Sequence, residues 1–280
     1  MNVDELDLGR AVPLGFRSAR TWRLDTPDGR FFLKEGGALT TFDREVEKAG
    51  VDVPRLLGTT RSVRVYEWID GRDLTADDDV SEWLGTTLAR LHAIAPLERA
   101  EPEVYGVHDR WEELLAEGSR RGRRWAGPLR AGLPALLATV EWISGVFAAS
   151  GRYVTTHRDV EPWNVMITPT GPVLIDWDAV GPDSAPLEAA HAAYAFGAPR
   201  RVADAYEAAG GVPLRASPDL LVRRIGLRLS RLTERLEMSL GTEPLRAEEL
   251  ESVERRAGEQ IESIPSFVAE LREQGMRFRR

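Results

Sequence analysis

The chain contains no cysteine. Disulfides, thiolate nucleophiles and thiolate metal sites are therefore excluded, and the composition agrees with a reducing, cytoplasmic setting. No uninterrupted apolar stretch approaches membrane-spanning length. The first ten residues, MNVDELDLGR, are acidic and have no apolar centre, so they do not read as a secretory leader. Internal repeats and low-complexity segments are also lacking. Lysine is nearly absent: Lys34 and Lys48 are the only two among 37 basic residues. As a general bias this has no mechanistic meaning, but it singles out a lysine placed inside an apolar strand.

What remains is ordinary globular material. With 280 residues, 42% of them hydrophobic, the chain has enough for one large domain or two lobes. Acidic residues outnumber basic ones by 45 to 37, for a net charge of −8. That balance leans away from nucleic acid and toward a cationic ligand. The densest basic run, SRRGRRW, holds Arg120, Arg121, Arg123 and Arg124 without the interleaved aromatics of a base-stacking platform, and reads as a solvated helix end or loop.

Up to Ile69 the pattern is that of a small sheet with one helix. The runs ARTWRLDT and RFFLKE are strand-like and are joined by the turn signal Pro27-Asp28-Gly29; SVRVYEWI is a further strand. Between them TTFDREVEKAG forms a short helix, with Thr41 as its cap and Gly50 as its stop. After the polar connection IDGRDLTADDD, apolar residues recur at three- and four-residue steps in VSEWLGTTLARLHAIAP, in 134–150, in 218–239 and in 247–273, the last interrupted by Pro265. His92, on the first of these helices, reads as a packed core histidine. Residues 1–69 are expected to form one lobe and 70–280 the other.

The most informative stretch is THRDVEPWNVMITPTGPVLIDWD. Its strands, Val165–Ile167 and Pro172–Ile175, are joined by Thr168-Pro169-Thr170-Gly171. A hairpin centred on Thr170 places Asn164 opposite Asp176, with directly paired Cβ atoms about 4.5–5.5 Å apart. An amide oxygen and a carboxylate then converge as hard ligands for Mg²⁺, which takes one or two protein ligands and completes its shell with phosphate and water. Asp159, five residues before Asn164, faces the same opening without being a ligand, as a group that orients an attacking hydroxyl must. His157-Arg158-Asp159, four residues, Asn164 fits the kinase catalytic loop H-R-D-x-x-x-x-N, with Asp176 as the downstream metal aspartate. Kinase sites also need a strand lysine on the phosphates, held by a helix glutamate. Lys34 is that lysine, and Glu45 and Glu47 are the candidates for its partner.

These residues resemble the aminoglycoside phosphotransferase and choline kinase-like family. HRDVEPWNVMI is similar to its catalytic loop, VLIDWDAVG to its metal-binding strand and turn, VYEWIDG to its hinge and LARLHAI to the first large helix beyond. REVEKAGVDVPRLLG resembles its helix-to-strand connection, which favours Glu45 as the lysine partner. The resemblance runs from about residue 20 to residue 195 and implies an α+β, two-lobed protein-kinase-like fold: a small antiparallel sheet lobe with one helix, and a larger, mainly helical lobe.

The resemblance further implies ATP or GTP between the lobes, its base near the backbone of Glu67 and Ile69. Mg²⁺ would sit on Asn164 and Asp176, Asp159 on the acceptor hydroxyl, and His157 would brace the loop. Three departures bear on the substrate. Glu161 stands where a protein kinase carries lysine, Asp178 replaces the glycine of D-F-G, and AVGPDSAP is too short for an activation loop. No G-x-G-x-x-G loop is present. A monomeric enzyme that phosphorylates a cationic small molecule is expected, an aminoglycoside or basic cyclic-peptide antibiotic ahead of choline, an amino alcohol or a sugar, with Glu161, Asp178 and Asp183 attracting the cation. A catalytically silent kinase-like module is disfavoured because Lys34, Asp159, Asn164 and Asp176 are all present.

Overall fold

The computed structural model describes residues 6–16, 19–36, 41–60, 63–100, 110–241 and 245–279. The N-terminal part is a five-stranded antiparallel sheet of β1 (Val12–Phe16), β2 (Arg20–Thr26), β3 (Gly29–Glu35), β4 (Leu56–Thr60) and β5 (Val63–Glu67), in the order β1-β2-β3-β5-β4. Period-two alternation gives it one apolar face, on which Leu24, Phe31, Leu33 and Val65 form a small core. Helix α1 (Thr41–Lys48), inserted between β3 and β4, does not join that core. Its Phe42 and Val46 belong to the large core of the rest of the chain, and Phe42 meets the Trp177 ring at 6.5 Å.

Beyond β5 the chain becomes helical. The elements are β6 (Arg72–Asp73), α2 (Ser81–Ile94), β7 (Pro96–Leu97), α3 (Trp111–Arg120), α4 (Ala126–Ser150), β8 (Tyr153–Thr156), β9 (Val165–Thr168), β10 (Gly171–Leu174), β11 (Gly181–Ser184), α5 (Ala185–Ala195), α6 (Pro199–Ala208), α7 (Val222–Leu240) and α8 (Ala247–Arg277). Two small sheets, β10-β9-β6 and β11-β8-β7, sit among the helices. This is the two-lobed, protein-kinase-like α+β architecture.

One sequence expectation needs correction. Pro265 does not interrupt the last helix: α8 runs through it for 31 residues. Its burial pattern continues on both sides, with Ile261 and Ile264 before and Leu271 after, and this packing offsets the lost backbone hydrogen bond. Helix α4, at 25 residues, is long and apolar enough by composition to cross a membrane. Its Leu129, Leu136, Ile143 and Phe147 are buried in the large core. The arginine-rich run ends α3 as expected, and each guanidinium has a carboxylate: Arg120 and Arg121 pair with Glu117, Arg123 with Glu254 and Arg124 with Glu251.

Candidate active site

The catalytic-loop segment leaves β8 at Thr156 and turns sharply. Arg158 has φ of 66°, a left-handed conformation costly for a residue with a Cβ. Three buried groups hold it there. Its N–H donates to Glu188 Oε1 at 2.7 Å, and its carbonyl accepts from Arg223 Nη2 at 2.5 Å. His157, fully buried, makes a 3.0 Å hydrogen bond to the Ile175 carbonyl and an edge contact with Trp177, and its Nδ1 accepts the Asp159 N–H. His157 is thus a brace between loop and strand.

Asp159 and Asn164 come together as the spacing implies. Asn164 Nδ2 donates to both the backbone carbonyl and the Oδ2 of Asp159, each at 2.8 Å, which turns its own carbonyl oxygen the other way. The hairpin register differs by one residue from the symmetric pairing. The turn has two residues, Gly171 faces Thr168 and Leu174 faces Val165, so Asn164 lies opposite Ile175, whose N–H donates to the Asn164 carbonyl at 2.9 Å. A one-residue slip would send the next side chain to the other face. Asp176 escapes this by adopting φ 64° and ψ 65°, which breaks the strand alternation at that residue. The oxygens of Asn164 and Asp176 are chemically suited to Mg²⁺. Among the described residues no group of three or more His, Asp or Glu side chains is arranged to hold a metal ion by itself.

Lys34 joins this group from β3. It is buried, with Nζ 2.5 Å from Asp176 Oδ1 and 2.7 Å from Asp178 Oδ2. Arg64, paired with Lys34 across β3 and β5, also bonds Asp178. The expected Lys34–Glu45 pair is not formed. Glu45 lies on the exposed side of α1 and bonds Lys48 at 2.8 Å. The cause is helix facing: Phe42 and Val46 turn α1 toward Trp177 and the large core, and Glu47 is exposed too. At the hinge, the Glu67 N–H is bonded to the Arg55 carbonyl and the Trp68 N–H to the Arg30 carbonyl. Ile69 follows where the sheet ends.

The acids expected to attract a cation are placed differently. Asp183 is completely buried in β11, bonded at 2.8 Å to the equally buried Arg223. Glu161 is buried and makes a 3.0 Å bond to His191 on α5. Burial pushes Glu161 up, but the bond to His191 and the charges of His191, Arg224 and Arg231 outweigh it and hold the carboxyl below its usual range. Asp178, a third exposed, is engaged by Lys34 and Arg64. These three do not line a cleft as free acids, because each has its own cationic or histidine partner.

Glu188, on α5, is the residue that sequence reading missed. It is fully buried and accepts from His92, Thr156 and the Arg158 N–H at 2.7–2.8 Å. Burial pushes its carboxyl up, while the His92 bond and the charges of His92 and Arg223 hold it well below the usual range. His92 in turn contacts Tyr206 at 2.8 Å. Only a glutamate inside the alanine-rich run APLEAAHAAYA, at a helix position whose neighbours are all buried, signalled it.

Two expected results follow from these buried groups. Asp183→Ala leaves the Arg223 guanidinium buried without its carboxylate and should cost roughly 3–5 kcal/mol; a denaturation midpoint unchanged from wild type would contradict the bridge. Burial lowers the pKa of both His157 and His191 below their unfolded value near 6.5. The unfolded chain therefore binds more protons below about pH 6.5, and stability is lost as pH falls, by up to ~1.4 kcal/mol per pH unit for each histidine. The thermal midpoint should drop between pH 7 and 5.5; a flat profile would show that these rings do not titrate with folding.

The chain matches the model of the APH phosphotransferase enzyme family over residues 10–221. It belongs to that family, and is a small-molecule kinase acting on a hydroxyl acceptor. Similar solved structures include an aminoglycoside phosphotransferase from Alicyclobacillus acidocaldarius (16% identity, TM-score 0.61, 98% of this chain and 95% of that one). Another is spectinomycin phosphotransferase in complex with ADP and spectinomycin (14%, 0.60, 91% and 93%). A third is Plasmodium vivax ethanolamine kinase (11%, 0.62, 93% and 84%). No curated protein matches the chain.

Proposed function

We propose that the enzyme transfers the γ-phosphoryl group of ATP or GTP to a hydroxyl of a small molecule, with Asp159 on the acceptor. The observation that carries this reading is the convergence of Asp159, Asn164, Asp176 and Lys34 from three separated segments. The acceptor oxygen attacks the γ-phosphorus, the bond to the β-phosphate oxygen breaks, and the hydroxyl proton passes to Asp159 Oδ. A phosphate ester and a nucleoside diphosphate result. Lys34 would meet the phosphates, exchanging its carboxylate partners for phosphate oxygens. Mg²⁺ held by Asn164 and Asp176 would neutralise charge that develops on the phosphoryl oxygens. Since this transition state is loose, positioning and charge neutralisation outweigh base strength.

The adenine nucleotide in the spectinomycin phosphotransferase structure supports a nucleotide co-substrate. An antibiotic acceptor has less support, since the acids that motivated it are internally paired. Incubation with Mg²⁺, ATP or GTP and a panel of hydroxyl compounds, read by mass spectrometry, should give one product heavier by a phosphoryl group. A panel spanning cationic, neutral and anionic acceptors that yields no such product would overturn the reading.

A further inference from the structure

Although the protein is acidic overall, α7 carries a stripe of positive charge. Arg224, Arg228, Arg231 and Arg235 follow at steps of four, three and four residues and share one helix face. Like charges so spaced repel one another and destabilise a helix unless something offsets them. Beside this stripe, Ile225, Leu229, Leu232 and Leu236 are buried in the large core, so the facing of α7 is fixed and the arginines cannot turn away.

Three of the four, with Arg256 from α8, line a cavity of about 280 Å³ between α7 and α8. The cavity is largely without counter-charge. Its one acid, Glu259, is bonded to Arg255 at 2.8 Å. Arg228 lies over the Phe267 ring and donates to Ser263, while its buried Nε has no partner; Arg235 is held by Gln260. Among the described residues, Arg231 and Arg256 form no ion pair. Burial and the charges of Arg235 and Arg224 push the Arg228 pKa down, with Glu270 opposing them, as expected for a cation in a positive field.

The helix that carries the cavity also reaches the catalytic loop. Arg223, at the start of the same helix, holds the Arg158 carbonyl and Asp183, and Arg224 lies over Tyr194 of α5. Arg231 is eight residues further, about 12 Å along the axis, and its charge acts on Glu161, two residues past Asp159. We propose that this arginine cavity binds an anionic group, carboxylate or phosphate, of the hydroxyl acceptor. Guanidinium forks recognise both groups with paired hydrogen bonds. The proposal rests on the kinase reading above and specifies its acceptor class.

The test compares wild type with the double variant Arg231→Ala/Arg256→Ala, whose changes fall on exposed side chains. Calorimetric titration uses glycerate, glycerol 3-phosphate, inorganic phosphate, glycerol and ethanolamine, and phosphoryl transfer to the three hydroxyl-bearing neutral or anionic probes and to ethanolamine is followed separately. Expected are binding of at least one anionic hydroxyl probe at least ten-fold tighter than glycerol, weakening with added salt, and transfer to it. The double variant should raise KM for that acceptor ten-fold or more while the thermal shift with Mg²⁺ and ATP stays as in wild type. Three results would overturn the proposal: anions binding no better than glycerol, anion binding unaffected by the double substitution, or anion binding with transfer only to ethanolamine or glycerol. Failure of the kinase reading itself shows separately, as no thermal shift with nucleotide in either protein.

Discussion

Asp159→Asn should lower phosphoryl transfer by ~10²–10⁴-fold, the usual contribution of a general base, and leave nucleotide affinity near that of wild type. The carboxylate is five positions from Asn164 and bonded to its amide, whereas Lys34, the group assigned to the phosphates, is paired with Asp176 and Asp178. An asparagine can keep the bond from Asn164 Nδ2 through its own oxygen, so the loop should retain its shape while losing the proton acceptor. The two effects are separable in one experiment, as kcat from product formation and Kd from nucleotide titration. Near-normal kcat in a folded variant would remove Asp159 from the chemistry; equal loss of both would make it a binding residue.

Asp176→Ala should abolish the Mg²⁺-dependent part of nucleotide binding. Asn164 alone offers a single neutral oxygen, a poor site for a strongly hydrated divalent ion. The substitution also frees Lys34, which would keep Asp178 as its partner at 2.7 Å, so nucleotide affinity without Mg²⁺ should persist. The measurement is the thermal shift with nucleotide, with and without Mg²⁺. A Mg²⁺ response as large as in wild type would place the ion elsewhere, with Asp178 the first alternative. Because Asp176 sits at φ 64°, an Asp176→Asn variant, whose side chain tolerates that conformation better than alanine, controls for backbone strain.

Much of the site could be read from the sequence because phosphoryl transfer fixes local spacing. Four residues separate Asp159 from Asn164, and a short hairpin carries Asn164 to Asp176; no distant contact is needed to bring them together. Lys34 was legible for a different reason, its rarity in an arginine-writing chain. What escaped depends on partners far along the sequence. Glu45 was misassigned because the facing of α1 is decided by Phe42 and Val46 against Trp177, some 130 residues away. Glu161 and Asp183 looked like free acids because His191 and Arg223, which engage them, lie 30 and 40 residues downstream. The hairpin register slipped by one because two turn residues and three are equally consistent with Thr-Pro-Thr-Gly. In 218–239 the apolar face was read and the arginine stripe beside it was not, since its meaning depends on α8 closing the cavity.

Mg²⁺-dependent loss of the γ-phosphoryl group from ATP, followed by ³¹P NMR, tests the central claim most directly, because water can replace an unidentified acceptor. Wild type, Asp159→Asn and Asp176→Ala are run in parallel at equal concentration. The account predicts slow turnover by wild type that requires Mg²⁺ and is lost in both variants, with nucleotide still bound by Asp159→Asn. Equal turnover in all three proteins, or turnover without Mg²⁺, would contradict it.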